Sequence, residues 1–296
     1  MVPEAGFRSY YGLPILKEPV WRSPEIPGYF FLGGLAGVSS VLAAAAQSTG
    51  RPRLALRTKV AAAAAVIASL IALVSDLGRP GRFYNMLRIF KPTSPMNVGS
   101  WLLSVYGPLA LTAAGSAATE LLPGLGTAAT FGAAVLGPAV ASYTAVLVAD
   151  TAVPAWHGGR SHMPYVFVSS AAAAAGGFGL LAAPAAETGP ARRLGVAGAV
   201  GEIVLTKAMA RSMGRPGEAY EQGRARRYLR LSSLLGAAGV AGVLFGSRRG
   251  RPWSVLSGLA LMASSACGRL GIFEAGRQSA RDPDHTVGPQ RPGTGG

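Results

Sequence analysis

The side chains that could carry chemistry in this sequence lie inside long apolar runs or at their ends. They are groups that transfer protons or donate hydrogen bonds, namely Glu25, Asp76, Tyr143, Glu202 and Lys207. A charged group in an apolar medium is costly, so each one is a candidate for proton transfer, ion coupling or ligand binding. Each also has a structural alternative, which is an ion pair or a hydrogen bond between packed elements.

Asp76 and Tyr143 each occur close to a second polar residue. Asp76 precedes Arg79 by three positions, so it is either a proton donor or the ion-pair partner of that arginine. Tyr143 precedes Asp150 by about two helical turns. Its phenol could donate a hydrogen bond to a ligand, or it could be a packing residue between helices.

Glu202 and Lys207 lie within a single apolar run. Glu202 is either a proton relay or a protonated carboxyl that forms a hydrogen bond with a neighbouring helix. The two residues are five positions apart, a spacing that does not align their side chains on one face of a helix. We therefore do not expect them to form an internal ion pair.

Histidine and cysteine are scarce, which limits the metal chemistry of the chain. The one cysteine, Cys267, cannot hold an iron–sulfur cluster or form an internal disulfide. The histidines, His157, His162 and His285, all lie outside the apolar runs, so no pair of them can hold a haem within a helix bundle. Loop histidines without nearby cysteines or carboxylates are typical of a headgroup surface. We predict no haem, no iron–sulfur cluster and no metal site.

Eight apolar segments must position these side chains. Half of the 296 residues are apolar, 14% are charged, and the mean hydropathy is +0.34, which is typical of a bilayer protein. A helix that crosses a bilayer needs about 20 mainly apolar residues. The segments of this length are 26–47, 59–77, 100–120, 126–150, 165–184, 193–211, 228–246 and 252–273. The sequence therefore predicts an all-α integral membrane protein with eight transmembrane helices.

The charges between the predicted spans indicate an orientation. Eight spans place both termini on one side of the membrane, which we call side A, and the opposite side is side B. The net charge of +15 comes from short basic clusters between spans, which are typical of loops at a lipid surface and not of a nucleic-acid-binding face. Lys and Arg are more numerous on side A, so the positive-inside rule places both termini in the cytoplasm.

The segment Gly-Arg-Pro-Gly-x-x-Tyr occurs twice, at 78–84 and at 214–220. Glycine ends a helix and proline prevents its continuation, and Arg79 and Arg215 would lie at helix C-termini, where cations are favourable. The copies follow the second and sixth spans, so an offset of four spans relates two halves of the same orientation. This pattern predicts two four-helix bundles related by a parallel repeat, unlike the inverted repeats of many ion-coupled carriers.

The repeat also predicts how the chain is divided. The parts are an N-terminal surface segment at 1–25, a first bundle at 26–150, a connecting loop at 151–164, a second bundle at 165–273 and a disordered tail at 274–296. The tail has too little apolar content to fold. The long loop after the second span can fold back against the helix ends.

Three strings in the first half are specific enough to compare with known families. They are IPGYFFLGGLAG at the start of the first span, SDLGRPGRFYNMLRIFKPTSPMNVGSW between the second and third, and SYTAVLVAD at the end of the fourth. The chain resembles the NrfD/polysulfide reductase membrane-subunit family in these strings. The second half fits the family mainly by its number of spans and its second Gly-Arg-Pro segment.

The resemblance implies a quinone-handling membrane subunit of a larger oxidoreductase in the bacterial plasma membrane. The implied cofactor is a quinone, either menaquinone or ubiquinone, and the family's membrane subunit holds no redox metal itself. The implied partners are a four-cluster ferredoxin-like iron–sulfur subunit, docked on the side of the quinone site, and a molybdopterin catalytic subunit beyond it.

The resemblance also implies a site at the side A ends of the first four spans. Glu25 falls where family members place a polar quinone contact. Some relatives have a histidine at about Gly28, which this chain lacks, so the hydrogen-bonding role falls to Glu25, Tyr29 or another donor. With the resemblance, we favour Tyr143 as a quinone contact over a packing tyrosine.

Charged residues complete the implied site. Arg79 is a further candidate for holding the quinone. Protons would enter or leave through Asp76 and Glu25, and Glu202 is a candidate relay.

Two other functions remain open from the residues. One is an ion-coupled transporter or channel, with Glu202 and Lys207 as the coupling groups. The parallel repeat argues against it, as does the lack of Gly/Pro-broken half-helices in corresponding spans. The other is a passive membrane anchor that has lost quinone exchange.

Overall fold

The computed structural model describes residues 16, 19–76, 80–246 and 250–282, and within these ranges the chain is helical with no strand. Eight of its helices have 20 residues or more, and two are short. In chain order they are α1 (Glu25–Ser48), α2 (Pro52–Asp76), α3 (Pro95–Thr119), α4 (Pro123–Ala149), α5 (Pro154–Gly158), α6 (Met163–Ala182), α7 (Gly189–Ser212), α8 (Arg215–Glu218), α9 (Gly223–Phe245) and α10 (Arg251–Arg281). A 3-10 helix at Pro80–Leu87 lies between α2 and α3.

Seven of the eight long helices are long and apolar enough to cross a membrane, which makes the chain a multi-pass membrane protein. The exception is α7, which carries Arg192, Arg193, Glu202, Lys207 and Arg211. The all-helical class is therefore confirmed, and seven of the eight predicted spans correspond to helices that meet the length and hydropathy of a span. The eighth span stays a prediction, because charge lowers the hydropathy of α7 below that of its neighbours.

Proline and glycine determine where several helices begin and end. Proline occupies the first or second position of α3, α4, α6, α7 and α10, where its missing N–H costs nothing. Gly214 follows the end of α7 with a φ of +61°, a conformation that glycine adopts without strain. The second Gly-Arg-Pro segment therefore ends a helix as predicted, and Arg215 begins the short helix α8.

The last helix departs from the sequence prediction. α10 continues to Arg281, so residues 274–281 are helical where we predicted a disordered tail, and residues 283–296 lie outside the described part. Contacts with the α5 region account for the extension. The Ser279 hydroxyl accepts a hydrogen bond from the Ala155 N–H at 3.2 Å, and the Trp156 indole donates to the Ile272 carbonyl at 2.9 Å.

The long helices pack in two rings of four. In the first ring α1 contacts α2 and α4, and α3 contacts the same two helices. In the second ring α6 contacts α7 and α10, and α9 contacts the same two helices. α6 also packs against α1 and α4, which joins the two rings.

Polar side chains on side B complete the ends of α2 and α6. The Glu187 carboxylate accepts a hydrogen bond from the Leu54 N–H at 2.8 Å, in the first turn of α2. The Arg57 guanidinium donates to the Ala182 carbonyl at 2.6 Å, and Arg251 donates to three carbonyls at the same end of α6. These contacts satisfy backbone groups that a helix end leaves unpaired, and they place charge where the helix dipole favours it.

Glycine lets the backbones within and between the rings touch directly. A Cβ at Gly37 of α1 would lie 2.3 Å from the Gly137 carbonyl oxygen of α4, and the reverse distance is the same. A Cβ at Gly176 of α6 would lie 2.4 Å from Gly195 of α7. Small residues at such crossings drive helix association in membranes through close packing.

We expect Gly37→Ala to lower stability by about 1–3 kcal/mol, because the methyl group meets backbone that cannot move aside. Gly107→Ala is the matched control, since Gly107 is also buried and helical but a Cβ there has open space. Thermal unfolding of the purified protein in detergent would measure both variants. Equal midpoints for the two would contradict the importance of the α1–α4 crossing.

Candidate functional site

The start of α1 carries two polar groups that the protein leaves unpaired. Glu25 lies in the first turn, and Tyr29 follows it by about one turn on the same face. The Glu25 Oε2 atom and the Tyr29 hydroxyl are both buried and have no hydrogen-bond partner within the described part of the chain. Ser69 of α2 donates to the Tyr29 carbonyl at 3.3 Å, which fixes this turn of α1 against its neighbour. Unpaired buried polar groups of this kind are uncommon and are candidates for ligand contacts.

Tyr143 of α4 reaches the same place from the other side. Its phenol lies close enough to that of Tyr29 for the two to interact, and both residues belong to one apolar cluster. Gly99 of α3 provides the space for the ring, because a Cβ on Gly99 would lie 1.8 Å from the Tyr143 Cζ atom. The glycine of the string Met-Asn-Val-Gly-Ser-Trp thus forms one wall of the slot that holds Tyr143.

The loop between α2 and α3 folds back onto the first turns of α3. The Asn97 amide donates to the carbonyls of Met86 and Ile89 at 2.7 and 2.8 Å, and its oxygen accepts from the Lys91 N–H at 2.6 Å. The Trp101 indole donates to the Ile89 carbonyl at 3.4 Å. This is the fold-back that the length of the loop predicted, and Asn97 is the residue that holds it.

Asp76 ends α2 on the same side of the protein. Its Oδ1 atom accepts a hydrogen bond from the Arg22 N–H at 3.2 Å, which links it to the segment before α1. Arg79 lies outside the described residues, so neither its predicted ligand contact nor its ion pair with Asp76 is tested. Asp76 thus lies at the same helix ends as Glu25, and its role stays a prediction.

Aromatic stacking fixes the segment before α1. The Trp21 ring stacks on that of Trp156 with 5.4 Å between centroids, and Trp156 is fully buried. A cavity of about 460 Å³ lies beside this segment and is lined by residues 19–23, Glu25 and Arg277. The Glu25 side chain therefore borders a cavity at the side A surface.

The second Gly-Arg-Pro segment has a structural role in the described residues. A Cβ at Gly217 would lie 2.1 Å from the Ala210 carbonyl oxygen, so only glycine allows this approach to α7. Tyr220 donates to the Ala155 carbonyl at 2.9 Å, and burial raises the pKa of its phenol, which keeps it a neutral donor. Arg215 is exposed and begins α8, three residues beyond the C-terminus of α7 at which we predicted it.

Glu202 lies apart from the tyrosines, in the second ring, and its charged neighbour is Arg269 of α10. Glu202 is 4% exposed and Arg269 is 1% exposed, and the two interact electrostatically. Lys207 is exposed, whereas Glu202 is buried near Arg269, so the two candidate coupling groups of the transporter alternative lie in different surroundings. Arg269 is not among the site residues predicted from the sequence, although an arginine inside the apolar run SSACGRLGIF was a signal for it.

The buried pair keeps unused hydrogen-bonding capacity. Arg269 donates to the Phe167 carbonyl at 2.6 Å, and its guanidinium carbon lies 3.8 Å from the centroid of the Phe167 ring. Its Nε and Nη1 atoms and the Glu202 Oε2 atom have no hydrogen-bond partners in the ranges that the structure describes. Hydroxyls of Ser170 and Ser232 adjoin the carboxylate. Glu202 and Arg269 therefore interact mainly through their charges, and several of their polar atoms remain without hydrogen bonds within those ranges.

Aromatic rings connect the two places. Tyr29 lies 5.9 Å from Phe30, and Phe30 lies 5.8 Å from Phe167, measured between ring centroids. Phe167 then contacts Arg269. A continuous line of side chains therefore runs from the candidate site on α1 to the buried pair in the second ring.

The histidines of the α5 region have protein partners. The His157 ring lies 3.2 Å from the Ala149 carbonyl and 2.8 Å from an Arg160 nitrogen, and His162 lies 2.9 Å from the Ser161 hydroxyl. Within the described ranges no group of three histidine, cysteine or acidic side chains converges on a point where a metal could bind. His285 lies outside those ranges.

Comparison with known families gives a match over most of the chain. The model for the family described as polysulphide reductase, NrfD, matches residues 16–209, which include α1 to α6 and most of α7. Glu25, Tyr29, Asp76, Tyr143 and Glu202 lie within the matched region, and Arg269 lies beyond it. No curated protein matches the sequence.

We expect Arg269→Met to destabilise the protein by about 3–5 kcal/mol, because Glu202 would be left buried without its cation. The double variant Arg269→Met with Glu202→Gln removes both charges and should recover most of the loss. Lys207→Met is the control, since that lysine is exposed and should change stability little. Thermal unfolding in detergent would test the set, and a double variant as unstable as the single one would refute the pairing.

Proposed function

The chain belongs to the polysulphide reductase, NrfD, family, and on that premise we propose that it binds a quinone or quinol and exchanges electrons with a docked iron–sulfur subunit. Proteins of this family are membrane subunits of polysulfide reductase-like oxidoreductases and work with other subunits. The observation that carries the quinone proposal is the pair of buried phenols, Tyr29 and Tyr143, one helical turn along α1 from Glu25, whose Oε2 atom is buried without a hydrogen-bond partner among the described residues.

The residues present fit a quinone. A bound quinone supplies a carrier of two electrons and two protons whose ring oxygens accept hydrogen bonds. The buried Tyr29 hydroxyl lies near the Tyr143 phenol but forms no well-aligned hydrogen bond in the described part of the chain, and the Glu25 Oε2 atom is buried there without a hydrogen-bond partner. A ligand with polar atoms at this place would relieve the cost of leaving both groups unsatisfied.

Each residue then has a defined task. Tyr29 and Tyr143 donate from their hydroxyls, and Gly99 keeps the Tyr143 ring in its slot. Glu25 holds or releases a proton at Oε2 and borders the cavity on side A, through which water can reach it. Asp76 offers a second proton-exchanging carboxylate at the same helix ends.

Glu202 is proposed as a proton-holding group remote from the tyrosines. Its carboxylate is buried, and the rings of Phe30 and Phe167 link its partner Arg269 to Tyr29. A change of charge at Glu202 would alter the hold on Arg269 and the packing of Phe167. This line of contacts supports a proton-holding role for Glu202 that depends on whether a quinone is bound near Tyr29.

The proposed architecture has eight transmembrane helices in two four-helix bundles related by a parallel repeat. α7 has 24 residues and packs along α6 and α9, as a span would. Its exposed charges lie toward its ends, and its central Glu202 is buried. The corresponding contacts within the two rings support the repeat.

The proposed orientation places both termini in the cytoplasm of a bacterial plasma membrane. The excess of basic residues on side A supports this arrangement. The same basic loops would receive the acidic face of a four-cluster iron–sulfur subunit, with a molybdopterin subunit beyond it. The candidate site lies at that end of α1 and α4, which is the end a docked redox partner would have to reach.

Isolation of the protein from gently solubilised native membranes should yield a stoichiometric cysteine-rich iron–sulfur protein, identified by mass spectrometry. Recovery of the chain alone from several mild detergents would count against the complex, and transport assays would then test the transporter alternative. A complete complex that neither oxidises quinol nor reduces quinone would instead support a passive anchor.

In that complex, we expect Tyr29→Phe and Tyr143→Phe to lower quinone-dependent turnover by about 10²-fold or more, because each removes a hydroxyl donor without changing the ring. Tyr106→Phe is the matched control, since Tyr106 is equally buried but its hydroxyl pairs with Ser40 at 2.8 Å. Steady-state turnover and quinone affinity would be measured for each variant. Near-normal rates for both site variants would refute the assignment.

A further inference from the structure

A cavity of about 610 Å³ lies between α7 and α9, and neither Tyr29 nor Tyr143 lines it. Two facing stripes of side chains line it, and each stripe follows the same helical spacing. The stripe on α7 runs from Ile203 to Arg211, and the stripe on α9 runs from Arg226 to Leu234. These are positions at which two neighbouring helices ordinarily pack together, but here they enclose space.

The cavity lies between the end of α7 and the start of α9, where its lining residues are found. The two helices touch deeper in the protein, where a Cβ on Gly236 would lie 3.4 Å from the Ile203 side chain. Ile203 therefore forms the inner end of the cavity. Tyr220 and Glu221 close the top of the cavity, and the hydrogen bond from Tyr220 to Ala155 fixes their position.

The cavity has a strong excess of positive charge. Lys207, Arg211, Arg226 and Arg230 line it, against the single carboxylate of Glu221. None of the four cations forms an ion pair within 4.0 Å with any carboxylate in the described ranges. Four adjacent cations repel one another, and an anion between them would remove that repulsion.

The lower part of the cavity is apolar and continues onto the lipid-facing surface. Ile203, Leu229 and Leu234 line it. Below it, Val200 and Val204 of α7 are 47% and 57% exposed, and Leu234 of α9 is 69% exposed. A small soluble anion would not contact this apolar surface, whereas the acyl chain of a phospholipid could pack against it.

We propose that the cleft between α7 and α9 binds one anionic phospholipid of the side A leaflet, with its phosphate among the four cations and an acyl chain along the apolar floor. Basic pockets between membrane helices bind such headgroups. The lipid would fill the space between the two helices. It would also bring the charged helix α7 into contact with the bilayer through a specific molecule.

Native mass spectrometry of the detergent-solubilised protein would test this proposal by titration with phosphatidylglycerol and with phosphatidylcholine of the same chains. We expect one phosphatidylglycerol to bind more tightly than phosphatidylcholine. The variant Arg226→Gln with Arg230→Gln should lower that affinity about 30-fold, since each cation contributes about 1 kcal/mol, or about fivefold.

The matched control is Arg224→Gln with Arg227→Gln, which removes the same charge from the same end of α9 but outside the cavity. It should retain the wild-type affinity. If the double variant at the site fails to fold, Ser233→Phe fills the cavity without changing the charge and should also abolish tight binding.

Three outcomes would overturn the proposal. Equal affinity for the two lipids would show that the charges do not select the ligand. Competition by glycerol phosphate as effective as that of the intact lipid would show a soluble anion site. Stoichiometric displacement of the lipid by a quinone would assign the cavity to the redox ligand.

Discussion

Backbone contact between helices, without side chains in between, is the constraint on which the rest of this structure depends. Gly37 and Gly137 bring α1 and α4 so close that a single methyl group would not fit. That crossing aligns the side A ends of the two helices, and Tyr29 and Tyr143 meet there. Gly176 and Gly195 set α6 against α7 in the same way. Glycines, which have no side chain, therefore determine where the two phenols lie.

Much of this arrangement was predictable from the sequence because bilayer physics leaves few options. Apolar length predicted the helices, and seven of them meet the requirement for a span. Glu25, Tyr29 and Tyr143 were identified from their types and from a family resemblance, and the structure brings the two phenols together beside the turn that carries Glu25. The resemblance supplied this grouping, since nothing in the spacing of residues 29 and 143 shows that their helices cross.

Other features depended on three-dimensional contacts that no local pattern encodes. Arg269 was overlooked because it occurs in a long apolar run, and its importance appears only when α10 places it beside Glu202. The extension of α10 to Arg281 depends on Trp156 and Ser279, which are far apart in sequence. Hydropathy does not decide whether α7 crosses the membrane, because a buried carboxylate and exposed cations near the helix ends lower its mean hydropathy in the same way.

The bond pattern of Asn97 has a mechanical consequence for the whole subunit. Its side chain holds the loop between α2 and α3 against α3 through hydrogen bonds. Gly99, two residues later in α3, packs against the Tyr143 ring. A force applied to the loop from outside therefore acts on the same helical turn that sets the width of the tyrosine slot. Pressure on that loop would therefore change the space available to the Tyr143 ring in the candidate site.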